Sequence, residues 1–229
     1  MREILAFISD LKREVLEHPV MTHPFWERFR EGGLTSKQLQ VFSLNYYQHV
    51  QRTRLYDAAV LARTPFEGIQ AALASILWDE YGEGDMEQTH PAQFRRLLHA
   101  LQLSEADWKQ VSELPELQIY TDIHFRLCTD YPFWIGLGVV GVAMELPIPT
   151  LYAYLIEGFK KLGLTEEDLE FFVKHGPMDI HHSSLLLDAM VSHLQQKEDR
   201  EALRSGAMRS LNARFILMDG LYRIVWNES

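Results

Sequence analysis

The sequence predicts an all-α protein. Apolar residues recur at spacings of three and four along nearly all of its 229 residues, and alternating β-branched runs are few. No linker, internal repeat or low-complexity stretch interrupts this pattern. We therefore expect a single helical domain over residues 1–229, built from seven or more helices.

Local start and stop signals give the order of the helices. The predicted helices cover residues 2–17, 36–64, 66–81, a segment that starts at His90, 115–130, 132–162, a segment after residue 165, and 199–226. Thr35 and Gln38 form a capping box for the long second helix. Pro147 and Pro149 should kink the long apolar segment, and Thr165 should cap the helix that follows it.

Composition excludes several classes of partner. With 22 Lys+Arg against 32 Asp+Glu the formal charge is −10, which disfavours nucleic acid and anionic membranes. The longest apolar run, from Phe133 to Met144, is shorter than the roughly 20 residues that cross a bilayer. The single cysteine, Cys128, cannot form an internal disulfide or a zinc site of several thiolates, and it suits a cytoplasmic protein.

Three polar side chains share one face of a predicted helix where the pattern calls for core. Offsets of four and seven residues nearly complete whole helical turns, so His175, Asp179 and His182 lie above one another. The same stripe continues through Phe172 and Leu186. A lone histidine on an apolar face is commonly a core residue, but three ligand-type residues on one stripe indicate a metal site.

Two glutamates repeat this anomaly on other helices. Glu80 is the next member of the stripe formed by Ile69, Leu73 and Ile76, and Glu145 ends the most apolar segment. A buried carboxylate needs a partner, and these stripes carry no Lys or Arg. Carboxylates and imidazoles from facing helices are the ligands of paired iron or manganese ions.

The sixth candidate ligand is His90, which follows the glycine-rich break after Glu80. Glu87 precedes His90 by three residues and is an alternative to Glu80, because Glu-x-x-His pairs bind metal in helical bundles. The three carboxylates Glu80, Glu145 and Asp179 would leave two divalent ions with one uncompensated positive charge. Dioxygen or a substrate carboxylate could neutralise it.

These residues resemble the metal signature of the haem-oxygenase-like diiron oxidases. The motifs are Trp78-Asp79-Glu80-Tyr81-Gly82, His90, Glu145 and His175-x3-Asp179-x2-His182, and the similarity extends over residues 21–221. The resemblance implies the seven-helix bundle of haem oxygenase, thiaminase II and pyrroloquinoline-quinone synthase. It also implies two iron ions, or a manganese–iron pair, with dioxygen as co-substrate, an external reductant, a small acid or amine as substrate, and a homodimer. Glu80, Glu145 and Asp179 would then be catalytic as well as ligating.

Within that superfamily the sequence is similar to the chlamydial type of para-aminobenzoate synthase. The similarity lies in His23-x-Phe25, Leu34-Thr35, Gln38-Leu39-Gln40 and Tyr46-Tyr47-x-His49. However, Trp26 falls where that family has a sacrificial tyrosine, Leu155 where it has an essential lysine, and Phe42 at a further site tyrosine. The resemblance therefore implies the metal ligands but not the self-consuming reaction, unless other residues such as Tyr46 or Tyr47 are the donors.

Two further hypotheses remain open. A thiaminase II-like enzyme would need an aspartate near Asn45 and a nucleophile at Cys128, and it would leave the six metal-type residues unexplained. A helical interaction protein would use the buried histidines for packing or for a structural ion.

Overall fold

The computed structural model describes residues 1–226, which form helices and turns without a β-strand. The predicted all-α class is confirmed. The helices are α1 (Arg2–Leu16), α2 (Pro24–Glu31), α3 (Ser36–Val50), α4 (Thr53–Leu61), α5 (Glu67–Glu80), α6 (His90–Ala100), α7 (Glu105–Gln110), α8 (Pro115–Thr129), α9 (Phe133–Gly138), α10 (Ile148–Lys161), α11 (Glu170–Val191) and α12 (Lys197–Trp226). Short 3-10 turns at Pro19–Thr22 and Gly82–Gly84 and a π-helical turn at Val139–Ala143 connect some of them.

Several long predicted helices are divided. The second predicted helix breaks between α3 and α4, and the segment 132–162 is split by the π-helical turn and a bend before Ile148. Thr165 and Asp168 exchange the expected capping hydrogen bonds, but these bonds close only a turn. The predicted start of the helix at residue 166 is therefore wrong. Helix α11 begins at Glu170, just before the buried side chains of Phe171 and Phe172, because tertiary packing rather than the cap stabilises it.

Helix α12 packs along α8 and α9 with almost no space between the backbones of α9 and α12. A Cβ atom on Gly138 would lie 2.0 Å from the carbonyl oxygen of Leu203, and one on Gly206 would lie 2.0 Å from that of Ile135. Only glycine allows this approach. It fixes α12 against the helix that leads into the segment carrying Glu145.

The long apolar run that starts at Phe133 lies in the core, where Leu137 and Val140 are fully buried. No single helix of the described residues is long and apolar enough to cross a membrane. The segments Phe133–Ala143 and Ile148–Lys161 reach the required length and hydropathy only when taken together, and the chain bends by 41° between them.

Helix α11 is the element that positions the site. It packs against α5, α6, α10 and the π-helical turn, so its buried stripe faces the end of α5, the start of α6 and the residues that follow the turn. Helix α11 continues through Pro177, and His175, Asp179 and His182 are all buried on it. The predicted common face is confirmed.

Candidate metal centre

The first group of ligand-type side chains joins three helices. Glu80 ends α5, His90 begins α6 and His175 lies in α11. His175 Nδ1–H donates to the carbonyl oxygen of Phe171 at 2.5 Å, so its Nε2 lone pair points at His90 Nδ1, 2.9 Å away. His90 Nδ1 is also 2.8 Å from Glu80 Oε2. Two ring nitrogens and one carboxylate oxygen therefore converge on one point.

The second group lies beside the first. It consists of Glu145, which follows the π-helical turn, and of Asp179 and His182 on α11. His182 Nε2–H donates to Asp79 Oδ2 at 3.0 Å, which leaves Nδ1 as the ligand atom. This Nδ1 is 3.7 Å from Glu145 Oε2 and 3.9 Å from Asp179 Oδ1. In each group the three ligand atoms lie within 4.8 Å of one another.

Burial shifts the protonation of both groups. None of the six residues is more than 8% exposed. Burial and the neighbouring charges of Glu145 and Glu80 raise the pKa of Asp179 well above its usual range, and burial also raises the pKa of Glu145. Burial and His90 lower the pKa of His175 well below its usual range. Burial lowers the pKa of His182, but the carboxylates of Glu145 and Asp79 outweigh it and raise that pKa to about 9.

The donor set fits two first-row metal ions. Glu80 Oε2 and His182 Nδ1 are buried and make no hydrogen bond, although both face other ligand-type atoms. Crowded carboxylates and imidazoles of this kind suit a bound cation, since no lysine or arginine of residues 1–226 forms an ion pair with any of the six. Mixed imidazole and carboxylate ligands suit iron or manganese.

All six residues predicted from the sequence lie in these two groups. The one stripe on α11 is shared between them, because His175 belongs to the first group and Asp179 and His182 belong to the second. Glu87 lies exposed on the turn before α6, whereas Glu80 lies against His90. The structure thus favours Glu80 over Glu87. That the six residues bind metal stays a prediction.

Sequence reasoning missed three polar residues near the groups. Asp79 accepts a hydrogen bond from His182. In the sequence, only its position next to Glu80 points to this role. Asp57 is buried, with its pKa raised by burial and by Glu80 and Glu145. Arg214 is only 4% exposed and faces the core on α12, whereas its neighbour Phe215 is half-buried. A lone arginine three residues after Leu211 was the available signal.

The positions that distinguish the chain from the para-aminobenzoate synthases are all in the core. Trp26, Phe42 and Leu155 are at most 1% exposed, and Trp26 Nε1–H donates to the carbonyl oxygen of Val20 at 2.7 Å. Two other phenols lie nearby: Tyr46 O–H donates to the hydroxyl of Tyr152 at 3.3 Å. Of these two, Tyr152 lines the same cavity as Glu145.

Cys128 does not have the environment of a nucleophile. Its side chain is fully buried, and burial raises the pKa of its thiol. Reactive cysteines are instead partly exposed and have lowered pKa values. The hypothesis of a thiaminase-like nucleophile at Cys128 therefore finds no support in the structure.

Comparisons with known proteins agree with the fold and the donor set. Residues 40–215 match the family described as iron-containing redox enzyme. The 4-aminobenzoate synthase of Nitrosomonas europaea is 27% identical over 215 residues, which covers 89% of this chain and 85% of that protein.

Two solved structures show the fold. A CADD-like protein of unknown function from Nostoc punctiforme superimposes with a TM-score of 0.82 at 16% identity, over 98% of this chain and 99% of that one. A domain with a haem-oxygenase-like fold from Shewanella denitrificans gives a TM-score of 0.71 at 16% identity, over 97% and 92% of the two chains. The haem-oxygenase-like fold inferred from the motifs is confirmed.

Proposed function

This chain belongs to the family of iron-containing redox enzymes, and we propose that it is a diiron oxidase or oxygenase of a small organic acid or amine. One observation carries the proposal: six buried side chains from α5, α6, α11 and the turn before α10 form two adjacent three-ligand groups. Glu80, His90 and His175 would hold one ion, and Glu145, Asp179 and His182 the other.

Bound iron would supply the redox chemistry that reduces dioxygen and oxidises the substrate. The chain prepares the ligands for this role. The carbonyl of Phe171 holds the proton of His175 at Nδ1, and Asp79 holds the proton of His182 at Nε2, so that each ring presents its other nitrogen. Such outer hydrogen bonds fix the tautomer and the orientation of a ligating histidine.

The surroundings of the ligands keep bulk water out and leave a small space for a reactant. A cavity of about 40 Å³ is lined by ligands of both groups, including Glu145 and His175. Its remaining wall includes the apolar side chains Val50, Met144 and Ile148. A reactant in this space would touch the ligand groups and an apolar surface, which suits a partly apolar small molecule.

Oxygen consumption tests this function. The protein is reconstituted without oxygen with iron(II) or with zinc and then mixed with oxygenated buffer, a reductant and a panel of small acids and amines. We expect oxygen uptake only with iron. His182→Ala should abolish it, while His181→Ala, an exposed neighbour on the same helix, should not. Equal uptake by the two variants would contradict the assignment.

A second candidate is synthesis of 4-aminobenzoate, which the named activity of the Nitrosomonas europaea relative favours. The positions Trp26, Leu155 and Phe42 do not supply the residues expected of that reaction, so another phenol would have to serve. Tyr46 is buried and hydrogen-bonded to Tyr152 beside the cavity. Rescue of a 4-aminobenzoate auxotroph by the wild-type gene but not by Tyr46→Phe would support this candidate. Failure of the wild-type gene to restore growth would exclude it.

A further inference from the structure

Arg214 is a buried arginine without a carboxylate partner. The residue is 4% exposed, its Nε makes no hydrogen bond, and it forms no ion pair within residues 1–226. Burying a charge in this way is costly, and buried guanidinium groups normally pair with an anion. Within the described part of the chain that anion is missing.

The guanidinium lies at the cavity that holds the ligand groups. Arg214 and His49 line this cavity together with Glu145 and Asp179, and the same two residues also line a smaller adjoining space beside Tyr120. Arg214 is thus placed between the ligand groups and the aromatic side of the core. An anion in contact with it would lie next to the proposed irons.

Two more polar side chains, His49 and Tyr120, lie around Arg214. His49 Nδ1 is buried without a hydrogen bond. The buried Tyr120 hydroxyl interacts with the guanidinium of Arg214 and has no other hydrogen-bond partner among the described residues, and the rings of His49 and Tyr120 are 5.0 Å apart. A guanidinium, a phenol O–H and an imidazole nitrogen form a donor set that suits a carboxylate, which accepts several hydrogen bonds and pairs with arginine in a bidentate manner.

The charge of the site also favours an anion as ligand. This argument rests on the proposed function, because it counts the charge of two bound metal ions. With two divalent ions, the three ligand carboxylates leave one positive charge uncompensated, and Arg214 adds a second. Asp57 at this cavity compensates one of them. The other nearby carboxylate, Asp79 on the far side of His182, is 25% exposed, so water screens most of its charge from the buried cavity. A cationic amine would be repelled here, whereas an anion would be attracted.

We propose that Arg214 binds the carboxylate of an acidic substrate, with Tyr120 and His49 as additional hydrogen-bonding groups. The apolar body of the acid then lies against Met144 and Ile148 next to the ligand groups. The substrate class is therefore a small, partly apolar carboxylic acid rather than an amine.

Calorimetric titration of the metal-free and the iron-loaded protein tests this assignment. The probes are acetate, butanoate and benzoate, with butanamide and butylamine as neutral and cationic counterparts of butanoate. We expect butanoate or benzoate to bind and the amide and amine to bind much more weakly. Arg214→Gln should weaken carboxylate binding roughly 10- to 100-fold, the usual effect of losing a charged hydrogen bond. Arg214→Lys should restore only part of it, because lysine lacks the bidentate geometry.

Matched variants separate this role from a structural one. Arg209→Gln removes an exposed arginine from the same helix and should leave carboxylate binding unchanged. Tyr120→Phe removes one hydroxyl only and should weaken binding roughly 2- to 10-fold even if Arg214→Gln does not fold. Circular dichroism confirms the fold of each variant.

Iron content, measured on the same samples, separates the two proposals. Iron loading without any saturable carboxylate binding, or with binding that Arg214→Gln and Tyr120→Phe leave unchanged, overturns the role of Arg214 and leaves the diiron function standing. Carboxylate binding that depends on Arg214 in a protein that takes up no iron supports the carboxylate site and refutes the diiron function.

Discussion

Replacing Asp79 by asparagine tests whether His182 is a metal ligand held by an outer carboxylate. Asp79 Oδ2 accepts a hydrogen bond from His182 Nε2 at 3.0 Å, and its side chain is 25% exposed. Losing such a partner costs about 10- to 100-fold in metal affinity. Because asparagine still offers a carbonyl and water reaches this position, we expect the lower end, about 10-fold or about 1.4 kcal/mol.

The assay is an anaerobic titration with iron(II) against a chromogenic chelator. Only one of the two iron sites should weaken in Asp79→Asn, because Asp79 contacts the group of Glu145, Asp179 and His182 and not the other. Glu87→Gln is the matched control, since Glu87 is an exposed acid near the other group and should have no effect. The reasoning is refuted if Asp79→Asn stays within about twofold of wild type or if Glu87→Gln weakens iron binding equally.

Three further predictions concern the fold. Gly138→Ala would bring a Cβ to 2.0 Å from the carbonyl oxygen of Leu203, so urea unfolding should show a free energy of unfolding lower by about 3 kcal/mol, or the variant should fail to fold. Gly68→Ala is the control: a Cβ there meets nothing within 4 Å, and the free energy of unfolding should rise by about 0.5 kcal/mol. Similar effects of the two changes would argue against the tight contact. Burial lowers the pKa of His124 to about 3, whereas the imidazole of the unfolded chain takes up a proton near pH 6.5. The free energy of unfolding should therefore fall as the pH drops from 6.5 towards 3, by up to about 1.4 kcal/mol per pH unit. His124→Gln should lose this part of the pH dependence, and an unchanged slope would contradict the assignment. Cys128 is fully buried, so a thiol reagent should label it only after denaturation, and rapid labelling of the native protein would show that the core is open there.

The six candidate ligands could be predicted because each breaks an apolar pattern. Helical periodicity places His175, Asp179 and His182 on one face, and a carboxylate on such a face, as at Glu80, needs a partner. Their division into two groups could not be predicted. It depends on how α5 and α6 approach α11, which is a tertiary contact.

Arg214 shows a second limit of periodicity. Residues three and four positions after Leu211 lie on the same side of the helix, so the pattern alone does not decide between Arg214 and Phe215. The close contact of α12 with α9 fixes the rotation of α12 and turns Arg214 inward. Similarly, Asp79 was missed because its role depends on a histidine 103 residues away along the chain.

Iron stoichiometry of matched histidine variants shows whether the two ligand groups each hold an ion. His90 and His182 lie in different groups, so each alanine variant should lose one ion and keep the other. After anaerobic reconstitution and removal of loose metal, we expect two irons per wild-type chain and one in His90→Ala and in His182→Ala, with the helical content unchanged. A wild-type chain that holds no iron, or variants that both retain two, would contradict the account.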